Sequence, residues 1–231
     1  MTTTDLILIR HGETDWNREH RFQGQLDVPL NVLGRTQAER LAARLQDEPI
    51  DRLVCSDLGR VQATAAPLVQ ARGLQPRLDP AWREQSFGSV EGLRVRELPQ
   101  RHPELWAQWI RHEADMALPG GESTRQFHDR VLAALRALVA AEAGRRIAVF
   151  THGGVLDMIW RAAQALPLDG PRRCPIPNAG LNRLRCHADG RLEILAWADD
   201  AHLAGLPEQP STVPASVVLG LAPPEPAPHA G

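Results

Sequence analysis

Three short apolar runs constrain this chain more than any other feature. They are LILI (residues 6–9), DRLVC (residues 51–55) and IAVF (residues 147–150). The first and last are apolar at every position, with no polar alternation. A strand reads this way only when both faces of its sheet are covered. The runs lie too far apart for hairpins, and the stretches between them carry helical periodicity. Parallel neighbours need such crossovers. The expected architecture is therefore α/β: a three-layer α/β/α sandwich around a mainly parallel central sheet.

The helices follow from period and punctuation. Residues 34–46 place Ala38, Leu41, Ala42 and Leu45 on one stripe. Residues 58–71 read as a helix that Pro67 bends or ends early. Residues 95–110 look like two short pieces split before Pro103. Residues 123–141 form the clearest helix, with Ser123 as N-cap, Phe127, Val131, Leu135, Leu138 and Val139 as buried stripe, and Gly144 as stop. A helix over residues 154–166 and two weaker strands, 180–186 and 191–197, complete one domain spanning 1–206. Residues 207–231, rich in Pro and Ala, read as a disordered tail.

Composition removes several function classes. All 26 basic residues are arginine, and there is no lysine. Schiff-base chemistry and a P-loop lysine are thus excluded, and any cationic recognition of phosphate falls to Arg or His. A net charge of -2 gives no general attraction to nucleic acid or to an anionic membrane. The cysteines Cys55, Cys174 and Cys186 form no CxxC pair, which suits a reducing compartment and offers no zinc site. No signal-peptide pattern and no spanning-length apolar run are evident, so a soluble cytoplasmic protein is expected.

In a parallel sheet, sites form beyond the carboxyl ends of the strands. The first run ends at Arg10-His11-Gly12. The second ends at Ser56, with Arg60 in the first turn of the next helix. The third ends at Thr151-His152-Gly153-Gly154. These ends should bring Arg10, His11, Arg60 and His152 into one electropositive cluster beside a helix N-terminus. Such a donor set suits a phosphoryl group, while a carboxylate would need fewer donors. Gly12 is expected to let the backbone turn away from an approaching substrate.

At this point the sequence resembles the histidine phosphatase superfamily, with its phosphoglycerate-mutase-like fold. RHGETDWN after the opening strand is similar to that family's signature, and RFQGQLDVPLNVLGRTQA to the segment behind it. CSDLGRVQATA, REQSFGSVEG, LPGGES and FTHGGVL resemble the later blocks, in order and at compatible spacing. The resemblance runs from about residue 4 to residue 203. Val90 departs from it, standing where an aromatic residue commonly precedes the Glu-Gly pair.

The resemblance implies that His11 is a nucleophile forming a phosphohistidine, with its other nitrogen tied to a backbone carbonyl. It implies that Arg10, Arg60 and His152 hold the phosphoryl oxygens and that Glu84 is the general acid and base. Glu91 lies close enough in sequence to compete for that last role. Asn17, Gln23 and Gly24 are candidate substrate contacts, and neither metal nor cofactor is implied. Trp106 and Trp109 lie in the segment where a substrate lid sits in the family, and either could line the pocket mouth. The remaining histidines show no ligand spacing and read as surface or structural.

The expected partner is a small phosphorylated metabolite. Family mutases carry a long basic insertion between the acid block and the GES block. Here residues 92–119 fill that gap with Arg94, Arg96, Arg101 and Arg111, which favours a phosphatase over a mutase. Two other classes compete. One is a phosphate-binding module with little turnover, disfavoured because His11 and Glu84 are both present. The other is a metallohydrolase using His11, Glu13 and His152, disfavoured by the absence of HExxH-type spacing.

Overall fold

The computed structural model describes residues 3–210. One six-stranded sheet runs in the order β3-β2-β4-β1-β5-β6, where β1 is Thr4–Arg10, β2 Arg52–Cys55, β3 Arg77–Leu78, β4 Arg146–Thr151, β5 Leu181–Cys186 and β6 Leu192–Asp199. The first four strands are mutually parallel, and β5 and β6 join antiparallel at one edge.

Among the described residues, seven α-helices accompany the sheet: α1 (Asp15–Arg18), α2 (Val32–Arg44), α3 (Gly59–Arg72), α4 (Leu98–Arg101), α5 (Pro103–Trp109), α6 (Thr124–Ala141) and α7 (Gly153–Ala163). The pleat explains the unbroken runs. Leu6 and Leu8 of β1, with Ile147 and Val149 of β4, pack under α6 and α7. The alternate residues Ile7, Ile9, Ala148 and Phe150 pack against α2 and α3. Both faces are covered, as the expected three layers require.

α6 starts where expected: Ser123 and Gln126 form a reciprocal capping box. α2 starts two residues earlier than its stripe suggests, because the Asn31 side chain accepts from Gly34 N at 2.8 Å. Pro67 neither ends nor shortens α3, which continues to Arg72 and stops at Gly73 in the left-handed region. The buried neighbours Ala65 and Leu68 hold it on the sheet through the lost hydrogen bond. Two residues of β3, both exposed, carry no apolar run that could have announced a strand.

Residues 207–210, assigned to the tail, pack against the loop before β5. The Gln209 side chain accepts from Asn178 N at 2.5 Å and donates to Asn178 O at 3.1 Å. The rest of the expected tail lies outside the described residues. A third apolar cluster, Phe22, Val90, Leu98, Trp106 and Leu118, lies under the segment between the acid block and the GES block.

Candidate functional site

Strand order builds the site. β4 lies between β1 and β2, with Arg10 in register with Thr151 and Cys55 with Phe150. The residues just past each strand therefore meet. His11 N donates to Thr151 O at 2.9 Å, and the rings of His11 and His152 stand 5.3 Å apart, edge to face.

His11 is buried, 2% exposed, and its Nδ1 lies 2.7 Å from Gly12 O. A carbonyl only accepts, so Nδ1 carries the proton and Nε2 is the bare nitrogen. Burial, then the charges of Arg60 and Arg10, hold the imidazole well below its usual pKa. It is neutral at neutral pH.

Gly12 serves differently from the turning role expected of it. A Cβ there would meet Gly34 O of α2 at 2.6 Å, so close backbone packing demands the glycine. Gly12 N donates to Thr64 Oγ1 at 2.9 Å, while Thr64 donates to Arg60 O at 2.7 Å. This one threonine fastens the loop after His11 to the helix that carries Arg60.

His152 is also fully buried, and burial heads the causes that hold its pKa well below normal. Its partners differ from those of His11. Arg60 Nη2 donates to Nδ1 at 3.2 Å, so the proton sits on Nε2, 2.9 Å from Ser56 Oγ. Arg60, fully buried, also donates to Gly24 O and Leu26 O, each at 2.8 Å. Gly24 thus enters the site through its carbonyl. Burial draws Arg60 and Arg10 down to about 10, still cationic at neutral pH. Arg10 donates to Ile176 O at 2.6 Å, and the buried Nε of each arginine has no partner among the described residues.

Glu84 sits over the start of α7. Its Oε2 accepts from Gly154 N and its Oε1 from Gln85 N, both at 2.9 Å. A Cβ at Gly154 would collide with this carboxylate, which explains the second glycine of the THGG run. The loop bearing Glu84 is braced by Arg130 of α6, which donates to the carbonyls of Ala81, Arg83 and Glu84 and forks onto Glu122 at 2.7–2.8 Å. Glu91 is committed elsewhere, accepting from Phe87 N and Gln25 N.

Asn17 and Gln23 border the cluster. Asn17 Oδ1 accepts from Thr14 N at 3.0 Å and from Asn178 Nδ2 at 3.3 Å. Gln23 Oε1 accepts from Thr14 Oγ1 at 3.0 Å. The amide nitrogens of both side chains have no protein acceptor among the described residues. Glu13, required by the metal-dependent alternative, receives Arg18 Nε at 2.5 Å and Asn31 Nδ2 at 2.8 Å. Of the two candidate lid tryptophans, Trp106 is buried in the third cluster and Trp109 lines a cavity beside Gly154. His112, expected to be surface or structural, lines the same cavity, and its Nε2 has no partner among the described residues.

Ser56, Thr64, Asn178 and Arg130 gain their roles only in three dimensions. Asn178, 2% exposed, donates to His11 O at 3.0 Å across 167 residues of chain. Only the fixed offset from a strand end could have flagged Ser56.

Two neutral histidines and two buried arginines gathered past the ends of β1, β2 and β4, with the Glu84 carboxylate over the start of α7, form a donor set that suits phosphoryl transfer. The chain belongs to the histidine phosphatase superfamily, branch 1, whose profile matches residues 6–200. It is 35% identical over 202 residues to phosphoglycerate mutase-like protein 4 of Arabidopsis thaliana, covering 86% of each chain. Among solved structures, it resembles mycobacterial glucosyl-3-phosphoglycerate phosphatase, with TM-score 0.74, 31% identity and 86% and 100% of the two chains covered. It also resembles the alpha-ribazole phosphatase of Shigella flexneri, with TM-score 0.75, 25% identity and 84% and 96% covered.

Proposed function

We infer that this protein hydrolyses small phosphomonoesters through a phosphohistidine at His11, without a metal ion. The observation that carries the reading is the tautomer of His11: neutral, Nδ1–H on Gly12 O, Nε2 bare within a cationic cluster. In the first step Nε2 attacks phosphorus in line. The N–P bond forms as the P–O bond to the alcohol breaks, and Glu84 gives its proton to the leaving oxygen. In the second step Glu84 takes a proton from water, whose oxygen attacks phosphorus and releases His11.

Charge on the phosphoryl oxygens falls to Arg10, Arg60 and the Nε2–H of His152, with Asn17 and Gln23 supplying amide donors. Five cationic or polar donors with no metal in the scheme predict activity that survives exhaustive chelation. The free, buried state of all three cysteines supports a reducing cytoplasmic setting. No helix among the described residues is long and apolar enough to cross a membrane.

Hydrolysis is favoured over mutase chemistry by the segment after Glu84. Arg94 pairs with Glu19 at 2.9 Å, Arg96, Arg101 and Arg111 are exposed, and none of the four lines the cavity beside Gly154. Two assays separate the readings: release of inorganic phosphate from a panel of phosphomonoesters, and bisphosphoglycerate-dependent interconversion of 3- and 2-phosphoglycerate. Interconversion outpacing phosphate release would replace hydrolysis with mutase chemistry. Glu84→Gln should slow ordinary alkyl phosphates far more than p-nitrophenyl phosphate, whose leaving group needs little protonation. Equal slowing of both would remove Glu84 as the acid.

A further inference from the structure

The mechanism above leaves unused an arginine that stands beside Arg10. Arg172, on the loop between α7 and β5, lies beside Arg10: its Nη1 is 3.6 Å, and Arg10 Nε 3.3 Å, from the point where a Cβ on Gly153 would sit. The bare glycine leaves space where the two guanidinium groups converge. Arg172 makes no side-chain hydrogen bond among the described residues. Its nearest carboxylate, Asp157 Oδ2, is 3.9 Å away and is already held by Arg161 Nε at 3.2 Å. Two cations left facing each other form an incomplete site.

Arg172 also lines the cavity that begins at Gly154 and Gln85, beside Glu84, and encloses about 250 Å³. Trp109, Met116 and Met158 give it an apolar wall. A general acid must face the oxygen it protonates, so the space next to Glu84 is where the departing alcohol lies. We propose that this cavity is the leaving-group pocket and that Arg172 binds a carboxylate carried by the leaving alcohol, making acid-bearing phosphomonoesters the preferred substrates. The proposal rests on the phosphatase reading and adds to it a residue that selects the substrate. Arg172 supplies two parallel N–H donors to a carboxylate, which a neutral hydroxymethyl group cannot engage in the same way.

The test uses a matched pair, 3-phosphoglycerate and glycerol 3-phosphate, which differ only in carboxylate against hydroxymethyl. The wild-type enzyme should have the higher kcat/KM for 3-phosphoglycerate. Arg172→Gln should lower the ratio of the two values about tenfold, chiefly through KM for 3-phosphoglycerate, as loss of a charge-assisted hydrogen bond predicts. Arg172→Lys, which keeps the charge without the fork, should restore part of the ratio and also serves if the glutamine variant folds poorly. An unchanged ratio, or equal losses on both substrates, would overturn the proposal, the second result making Arg172 another clamp on the phosphoryl group. A wild-type enzyme that hydrolyses no phosphomonoester would overturn the phosphatase reading itself.

Discussion

The ends of β1 and β4 carry the same residue in nearly the same setting, yet they are prepared for opposite tasks. His11 and His152 each follow a central strand, are at most 2% exposed, and are held neutral by burial and shared arginines. The difference lies in one partner. Gly12 O accepts from His11 Nδ1 and leaves Nε2 as a base. Arg60 donates to His152 Nδ1 and leaves Nε2 as a donor, resting on Ser56. Burial fixes the charge of a histidine, but the hydrogen bond on its far nitrogen decides whether it attacks or donates. In the proposed mechanism one imidazole takes phosphorus while its neighbour holds an oxygen.

That contrast can be broken at each corner. His11→Ala should have the largest effect, a loss of about 10⁴-fold or more in kcat, as for removal of other nucleophiles. It should also abolish acid-labile phosphoenzyme. His152→Ala should cost less, about 10²–10³-fold, the scale of one lost transition-state donor. Phosphoenzyme should still form slowly in that variant, and its absence there would erase the distinction between the two histidines.

Gly12→Ala pushes a methyl group into Gly34 O and should destabilise the fold by about 1–3 kcal/mol, read from the denaturant midpoint. A wild-type midpoint would mean that the two backbones are not packed this tightly. Ser56→Ala removes one neutral hydrogen bond from His152 and should lower kcat about fivefold without changing phosphoenzyme linkage.

The smallest effect is on pH and stability. Both histidines titrate well below 6.5 in the folded chain and near 6.5 when unfolded. Between those values the unfolded chain binds more protons. Stability therefore falls as pH drops below about 6.5, and above it these groups add no pH dependence. Double substitution by glutamine should flatten that slope in denaturant titrations from pH 7.5 to 5.5.

Much of this is legible in the sequence. The runs at 6–9 and 147–150 gave the doubly covered strands, and shared strand ends gave the meeting of Arg10, His11, Arg60 and His152. Ser123 and its stripe gave α6. What stayed hidden has a common physical cause. Asn178, Thr64 and the Arg130–Glu122 brace act on residues many positions away, and a lone polar residue carries no sign of its distant partner. β3, two exposed residues long, has no hydrophobic period to read. Gly12 was legible as necessary but not for the right reason, since the atom that forbids a side chain belongs to α2.

The central claim is that the tautomer of His11 makes it the nucleophile. The direct measurement is to quench turnover of a labelled phosphomonoester in base, digest the phosphoenzyme, and locate both the modified histidine and the substituted ring nitrogen by mass spectrometry and phosphorus–nitrogen NMR coupling. The account predicts phosphate on Nε2 of His11. Phosphate on His152, or on Nδ1 of His11, would contradict it.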